Sequence, residues 1–167
     1  MSFSLLPTLI TDELTDLTPE LLHSHGIRLL MMDFDNTIVP YTTDVPTEKM
    51  AAWIRDMLAS DIRLCVVSNS HNNRVKIFCG KYGIPCITHA KKPGTKGIKE
   101  CLAKFQIPAS SAALVGDQIY TDTLGGNSAG VRSILVRAID NHNFWLKARH
   151  VLELPFIHAA RKRRIVK

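Results

Sequence analysis

The sequence predicts an α/β fold in which a parallel β-sheet carries helices on both faces. Two observations carry that reading. Short apolar runs alternate along the chain with longer stretches whose apolar residues recur every three or four positions. Polar and acidic residues then fall at one consistent place, directly after the apolar runs. A length of 167 residues, 46% of them hydrophobic and 22% charged, suits one domain over 1–167 whose core needs no disulfide or metal staple. The same composition excludes disordered, collagen-like and coiled-coil chains.

The elements follow in order. Thr18 caps a helix that begins at Pro19, with Glu20 in its first turn and Gly26 ending it. Residues 27–32 form a buried strand running into Asp33. After a loop holding Pro40 and Pro46, Thr47 caps a helix through Met50, Trp53, Ile54, Met57 and Leu58. A strand over 62–67 ends at Ser68-Asn69-Ser70, and a helix over 73–82 stops at Gly83. Residues 84–88 make a short strand, 97–105 a helix, and 112–115 a strand leading into Gly116-Asp117. A helix over 121–128 and a strand over 131–136 complete a five-stranded sheet. No repeat, low-complexity tract or Gly/Ser/Pro linker divides the chain.

Net charge is +6, and it is unevenly spread. Residues 1–60 carry three Lys/Arg against nine Asp/Glu, whereas the remaining 107 carry eighteen against six. Residues 137–167 hold eight basic side chains against two acids and include Arg161-Lys162-Arg163-Arg164. Such a flank suits a phosphate-rich partner (nucleic acid, anionic lipid or a phosphorylated substrate) or is simply a solvated tail. No apolar stretch approaches the ~20 residues of a membrane span. The first residues lack the basic n-region of a secretory signal, so a cytoplasmic protein is expected. Cys65, Cys79, Cys86 and Cys101 include no C-x-x-C pair, which reads as reduced thiols, and the seven histidines show no zinc spacing.

Open parallel sheets bind ligands outside the carboxyl ends of their strands. Four predicted strand ends deliver Asp33-x-Asp35, Ser68-Asn69, Lys92 and Gly116-Asp117 to that edge. Singly, each is ambiguous. Asp-x-Asp is common in turns, Ser and Asn cap helices, and Lys92 lies among the lysines of 91–96, which read as solvated surface. Together they are distinctive, because Asp33, Ser68, Lys92 and Asp117 are separated by 35, 24 and 25 residues, each about one β-α unit. Paired carboxylates at one strand end supply a nucleophile, a neighbouring acid/base and a cation site. Asp117 and Asp122 straddle a turn into a helix, suiting a divalent cation or a base steadied by a second acid.

This constellation resembles the motifs of the haloacid dehalogenase (HAD) superfamily: Asp33-x-Asp35-x-Thr37, Ser68, Lys92, and Gly116-Asp117 with Asp122. More narrowly, the chain resembles the YqeG family of subclass IIIA, which is similar to mitochondrial phosphatidylglycerophosphate phosphatases. That likeness runs through Leu17-Thr18-Pro19-Glu20-Leu21-Leu22, Gly26-Ile27, Asp33-Phe34-Asp35-Asn36-Thr37, Val67-Ser68-Asn69-Ser70, Asn73-Arg74-Val75, Lys92-Pro93, Gly116-Asp117-Gln118 and Thr121-Asp122, with Gly125-Gly126-Asn127 after them.

The resemblance implies a three-layer, Rossmann-like fold and hydrolysis of a phosphomonoester through an aspartyl-phosphate. Asp33 would be the nucleophile and Asp35 the acid/base. Mg²⁺ would be held by Asp33, the backbone carbonyl of Asp35, and Asp117. Ser68, Lys92 and the backbone N–H of Asn69, with that of Phe34, would bind phosphoryl oxygens. Asp122 would support Lys92 or a metal-bound water. His71 could touch the leaving group.

The 34 residues between Asp33 and Ser68 and the 23 between Ser68 and Lys92 are too few for a cap domain. An uncapped site suits a large substrate, and phosphatidylglycerophosphate at the cytoplasmic face of a membrane is the expected one. Within 142–167, Phe144, Ala148, Val151 and Leu152 share a helical face, with Trp145, Leu146 and Phe156 nearby. Basic residues beside that face fit an interfacial helix on anionic lipid, or equally a terminal helix packed on the sheet. Two rivals stand beside this reading. One is a phosphatase for a soluble metabolite, a nucleotide or a nucleic-acid end. The other is a basic RNA- or ribosome-binding protein on the same scaffold, against which stands the want of any RNA-binding motif.

Overall fold

The computed structural model describes residues 4–71 and 73–140, together with Pro155 and Ala159. Six strands form one sheet: β1 (Leu9–Thr11), β2 (Leu29–Met32), β3 (Arg63–Val67), β4 (Cys86–Ile87), β5 (Ala112–Gly116) and β6 (Arg132–Val136). Their order is β1-β6-β5-β2-β3-β4, and every neighbouring pair is parallel. The chain steps outward from β2 to β3 and β4, then returns to the other side of β2 for β5 and β6. The strand order therefore reverses between β2 and β5, where a parallel sheet opens a crevice for ligands.

Between the strands, among the described residues, lie the α-helices α1 (Pro19–Ser24), α2 (Glu48–Ala59), α3 (Asn73–Tyr82), α4 (Lys96–Phe105) and α5 (Leu124–Ala129). Alternation along the central strands sorts the core into two layers. Leu30 and Met32 of β2, Leu64 and Val66 of β3, and Ala113 and Val115 of β5 join Trp53, Ile54, Met57 and Phe78 of α2 and α3. Their neighbours Leu29, Met31, Cys65, Val67, Ala112 and Leu114 join Ile98 and Cys101 of α4 on the opposite face. Trp53 satisfies its indole by donating Nε1–H to the Leu17 carbonyl at 2.7 Å. The expected caps form, Thr18 accepting from the Leu21 amide and Thr47 from that of Met50.

The sheet differs from the expected five strands by one. β1 is three residues long and meets only β6 at the sheet edge, so its pairing partner lies more than a hundred positions away and its own sequence is too short to show a period. β4 keeps only two residues of the expected 84–88. The expected helix over 121–128 forms, entered through a π-helical turn, Ile119–Thr123, that runs directly into α5. One loop and α2 separate β2 from β3, and α3 alone separates β3 from β4, so neither interval holds a cap. Among the described residues no helix is long and apolar enough to cross a membrane. The amphipathic reading of 142–167 lies outside the described residues, Pro155 and Ala159 apart.

Candidate active site

Among the described residues ten polar or charged side chains are buried, and seven of them stand at or just beyond the carboxyl ends of β2, β3, β4 and β5: Asp33, Asn36, Thr37, Ser68, Lys92, Asp117 and Asp122. Asp33 extends β2, its amide donating to the Val115 carbonyl at 2.9 Å. Asp117 directly follows β5, the neighbour of β2 across the reversal point. The carboxylates of Asp33, Asp117 and Asp122 offer oxygens that all lie within 4.8 Å of one another.

Lys92 ties this cluster together. Its Nζ donates to Asp33 Oδ1 at 2.7 Å and to Asp122 Oδ1 at 2.6 Å, and its side chain is 1% exposed. The lysine-rich stretch that reads as solvated surface therefore turns one ammonium inward. Asp122 and Asp33 hold that ammonium charged, raising its pKa against the effect of burial. Asp122 Oδ2 accepts from the Gln118 amide at 3.2 Å, so both of its oxygens are engaged within the protein.

Close approach of Asp122 requires the residue before Asp117 to be glycine. A Cβ on Gly116 would stand 2.3 Å from Asp122 Cγ and Oδ2. The π-helical turn supplies the other half of this approach, pulling Asp122 back toward the end of β5.

Ser68 follows β3 and is 1% exposed. Its Oγ accepts from the Ser70 amide at 3.0 Å, a local turn that orients the hydroxyl. Asn69 spans two loops: its Nδ2 donates to the Lys92 carbonyl at 2.9 Å, and its Oδ1 accepts from the Lys92 amide at 2.7 Å. The side chain of Asn69 thus fixes the backbone from which Lys92 projects. His71 packs edge-to-face on His89 with ring centroids 4.0 Å apart.

Asp35 lies on the loop after Asp33, 18% exposed at its side chain, with Arg74 Nη1 3.3 Å from Oδ1. Burial raises its pKa, and Arg74 opposes the shift. Asp33 is pushed up to about 6, chiefly by burial, with Lys92 opposing and Asp122 and Asp35 adding to the rise. Three buried carboxylates face one ammonium here, a deficit of positive charge that a hard divalent cation on oxygen donors would close. The residues fit such an ion.

Two residues of the site lie within the motifs that carry the resemblance, Asn36 after Asp35 and Arg74 after Asn73, but the sequence assigns a role to neither. Arg74 opens α3 and reaches the loop after Asp33, and Asn36 clamps that loop to the backbone of Asp140. Nothing local assigns those roles, because the partners, main-chain groups for both and the Asp35 and Asp44 carboxylates for Arg74, are remote in sequence.

A sequence profile described as HAD-hydrolase-like matches residues 89–143. The chain is 33% identical over 131 residues to the probable phosphatase YqeG of Bacillus subtilis, covering 78% of this chain and 76% of that one. It is 29% identical over 144 residues to a chloroplastic phosphatidylglycerophosphate phosphatase 1 of Chlamydomonas reinhardtii, covering 80% of this chain but 53% of the relative, about half its length. An uncharacterized protein from Listeria monocytogenes shares the fold at TM-score 0.55 and 18% identity, over 79% of this chain and 99% of that one. So does the 3-deoxy-D-manno-octulosonate 8-phosphate phosphatase of Yersinia pestis, at TM-score 0.54 and 19% identity over 86% and 88%.

Sheet, site and relatives together define the class: a HAD-type phosphatase, a phosphoric monoester hydrolase. More narrowly, the chain belongs to the YqeG family.

Proposed function

We propose that the protein hydrolyses the terminal phosphomonoester of phosphatidylglycerophosphate at a membrane surface, with Mg²⁺ as cofactor. The observation that carries the chemistry is the buried contact of Lys92 with both Asp33 and Asp122, which aligns a carboxylate and an ammonium at the reversal point of the sheet. The uncapped carboxyl edge and the likeness to a phosphatidylglycerophosphate phosphatase support the choice of a large lipid substrate.

In this reading Asp33 attacks phosphorus in line, forming an acyl-phosphate bond as the bond to the leaving oxygen breaks. Asp35 gives its proton to that departing alkoxide, then takes one from the water that attacks the aspartyl-phosphate and frees inorganic phosphate. Lys92, Ser68 and the backbone N–H groups of Asn69 and Phe34 stabilise the equatorial oxygens of the transferring group. Asp122 holds Lys92 in place and keeps it charged. Asp33, the Asp35 carbonyl and Asp117 would hold the cation, which when bound offsets the repulsion between the carboxylate and the phosphate dianion. Association with the membrane is peripheral, through the basic stretch of 142–167.

The test is phosphate release from phosphatidylglycerophosphate in anionic vesicles, with and without Mg²⁺, beside a panel of soluble phosphate esters. We expect lipid turnover well above the panel, lost in EDTA and lost in Asp33→Asn. Turnover of soluble esters alone would keep the mechanism and refute the lipid substrate, and full activity of Asp33→Asn would refute the nucleophile.

A further inference from the structure

Arg74 is heavily engaged outside the acid–lysine cluster. It projects from the first turn of α3, 13% exposed, into the loop that follows Asp33. Nη2 donates to the carbonyls of Pro40 at 3.0 Å and Thr43 at 2.6 Å, and Nη1 donates to that of Tyr41 at 2.9 Å. Nε lies 2.7 Å from Asp44 Oδ1, and the guanidinium carbon sits 5.2 Å from the centroid of the buried Phe34 ring. The same Nη1 lies 3.3 Å from Asp35 Oδ1.

That last contact is unlike the others. Asp35 Oδ1 is buried and accepts no hydrogen bond, so the guanidinium is the group that fixes the side of the carboxyl away from solvent. A planar fork with five donors can bind a loop and face a carboxylate at once; an ammonium on a flexible stem cannot. Phe34, between Asp33 and Asp35, supplies the flat surface on which the fork lies, and Phe34 is itself held edge-to-face by Phe78 of α3. The loop 40–45, pinned by its carbonyls, carries Tyr41 and Val45 as exposed large apolar side chains.

We propose that Arg74 is the positioning residue for Asp35: it locks the loop 40–45 and aims the Asp35 carboxyl at the oxygen that leaves with the alcohol. The inference rests on the acid/base reading of Asp35. Its consequence is selective. Protonation matters for an alkyl phosphate, whose alkoxide is a poor leaving group, and matters little for an activated aryl phosphate, whose phenolate departs unaided. A residue that only held the fold together would lower both reactions alike.

The experiment compares kcat/KM for an alkyl phosphate (glycerol phosphate) and an activated aryl phosphate (p-nitrophenyl phosphate). This ratio reports steps up to formation of the aspartyl-phosphate and excludes its hydrolysis. Wild type, Asp35→Asn, Arg74→Gln, Arg74→Lys and the double variant Asp35→Asn/Arg74→Gln are assayed, with thermal midpoints recorded for each. We expect Asp35→Asn to lose at least tenfold more on the alkyl than on the aryl ester. Arg74→Gln should show the same selectivity to a smaller degree, Arg74→Lys should not restore it, and the double variant should be no more selective than Asp35→Asn. Selectivity in Asp35→Asn with equal losses on both esters in Arg74→Gln would overturn the positioning role alone. No selectivity in Asp35→Asn would overturn the acid/base reading and the inference with it. Should Arg74→Gln fail to fold, Arg74→Lys carries the test, and wild-type selectivity in that variant would overturn the proposal.

Discussion

Lys92 and Asp122 meet at 2.6 Å with both side chains 1% exposed, and the same ammonium lies 2.7 Å from Asp33. Of the two acids, Asp122 is the fixed anchor, since its second oxygen is taken by the Gln118 amide. Removing it leaves the buried ammonium with Asp33 as its partner in the cluster. We expect Asp122→Ala to cost about 3 kcal/mol, the usual consequence of halving a buried ion pair. Turnover should fall further than stability explains, by at least ~100-fold, because Lys92 then collapses on the nucleophile. Urea unfolding and kcat on a soluble ester, measured together, check both halves.

Gly116 makes that anchor possible. An alanine there would place its Cβ 2.3 Å from Asp122 Cγ and Oδ2, a distance no rotamer change can absorb while the bond to Lys92 survives. Gly116→Ala should therefore destabilise by about 1–3 kcal/mol, as overpacking does. It should also reduce activity as Asp122→Ala does, although it removes no polar group. Equal activity of Gly116→Ala and wild type would show that Asp122 is not needed in this position.

How much of the site was legible follows from where each residue sits. Asp33, Ser68 and Asp117 each close an apolar run and Lys92 follows one after a short loop, so the pattern of the sequence places all four at one sheet edge. The inward turn of Lys92 was not legible, because a lysine among lysines reads as solvent-facing until the partner acids are brought to it. Asp122 was placed on a helix start, while the real turn is π-helical, a form with no period to detect in five residues. The roles of Arg74 and Asn36 were silent, although both lie in motifs that carry the resemblance, because most of their partners are backbone carbonyls and amides, which every sequence has. The strand β1 was missed for a related reason: its place is set by Ser133 and Ile134 of β6, not by its own three residues.

Asn36 offers a clean separation of two effects. It is fully buried, adopts φ 65°, donates Nδ2 to the Asp140 carbonyl at 2.6 Å and accepts from the Asp140 amide at 3.0 Å. The left-handed backbone and the clamp are lost together in Asn36→Ala, whereas Asn36→Gly keeps the backbone and loses only the clamp. We expect losses of about 3 kcal/mol and about 2 kcal/mol respectively, from two part-buried hydrogen bonds of a buried side chain plus, in alanine, the left-handed strain. Limited proteolysis around 139–141 should accelerate in both variants. Unchanged cleavage in Asn36→Gly would show that the clamp does not hold that segment to the loop.

Asp33 links pH, stability and the cation. Burial pushes its carboxyl from 3.8 up to about 6. Between those values the folded metal-free protein binds the proton that the unfolded chain has released, so this contribution to stability falls as pH rises through the window. Comparison with Asp33→Asn isolates it, because the amide cannot titrate. In EDTA, the difference in unfolding free energy between wild type and Asp33→Asn should move against wild type by on the order of 2 kcal/mol from pH 4 to pH 6.5. With Mg²⁺ in excess the trend should reverse, since a cation that binds the ionised carboxylate displaces the proton and stabilises the folded state as pH rises. A slope unaffected by Mg²⁺ would mean that Asp33 does not hold the metal, and the charge deficit among Asp33, Asp117 and Asp122 would have to be met by substrate alone.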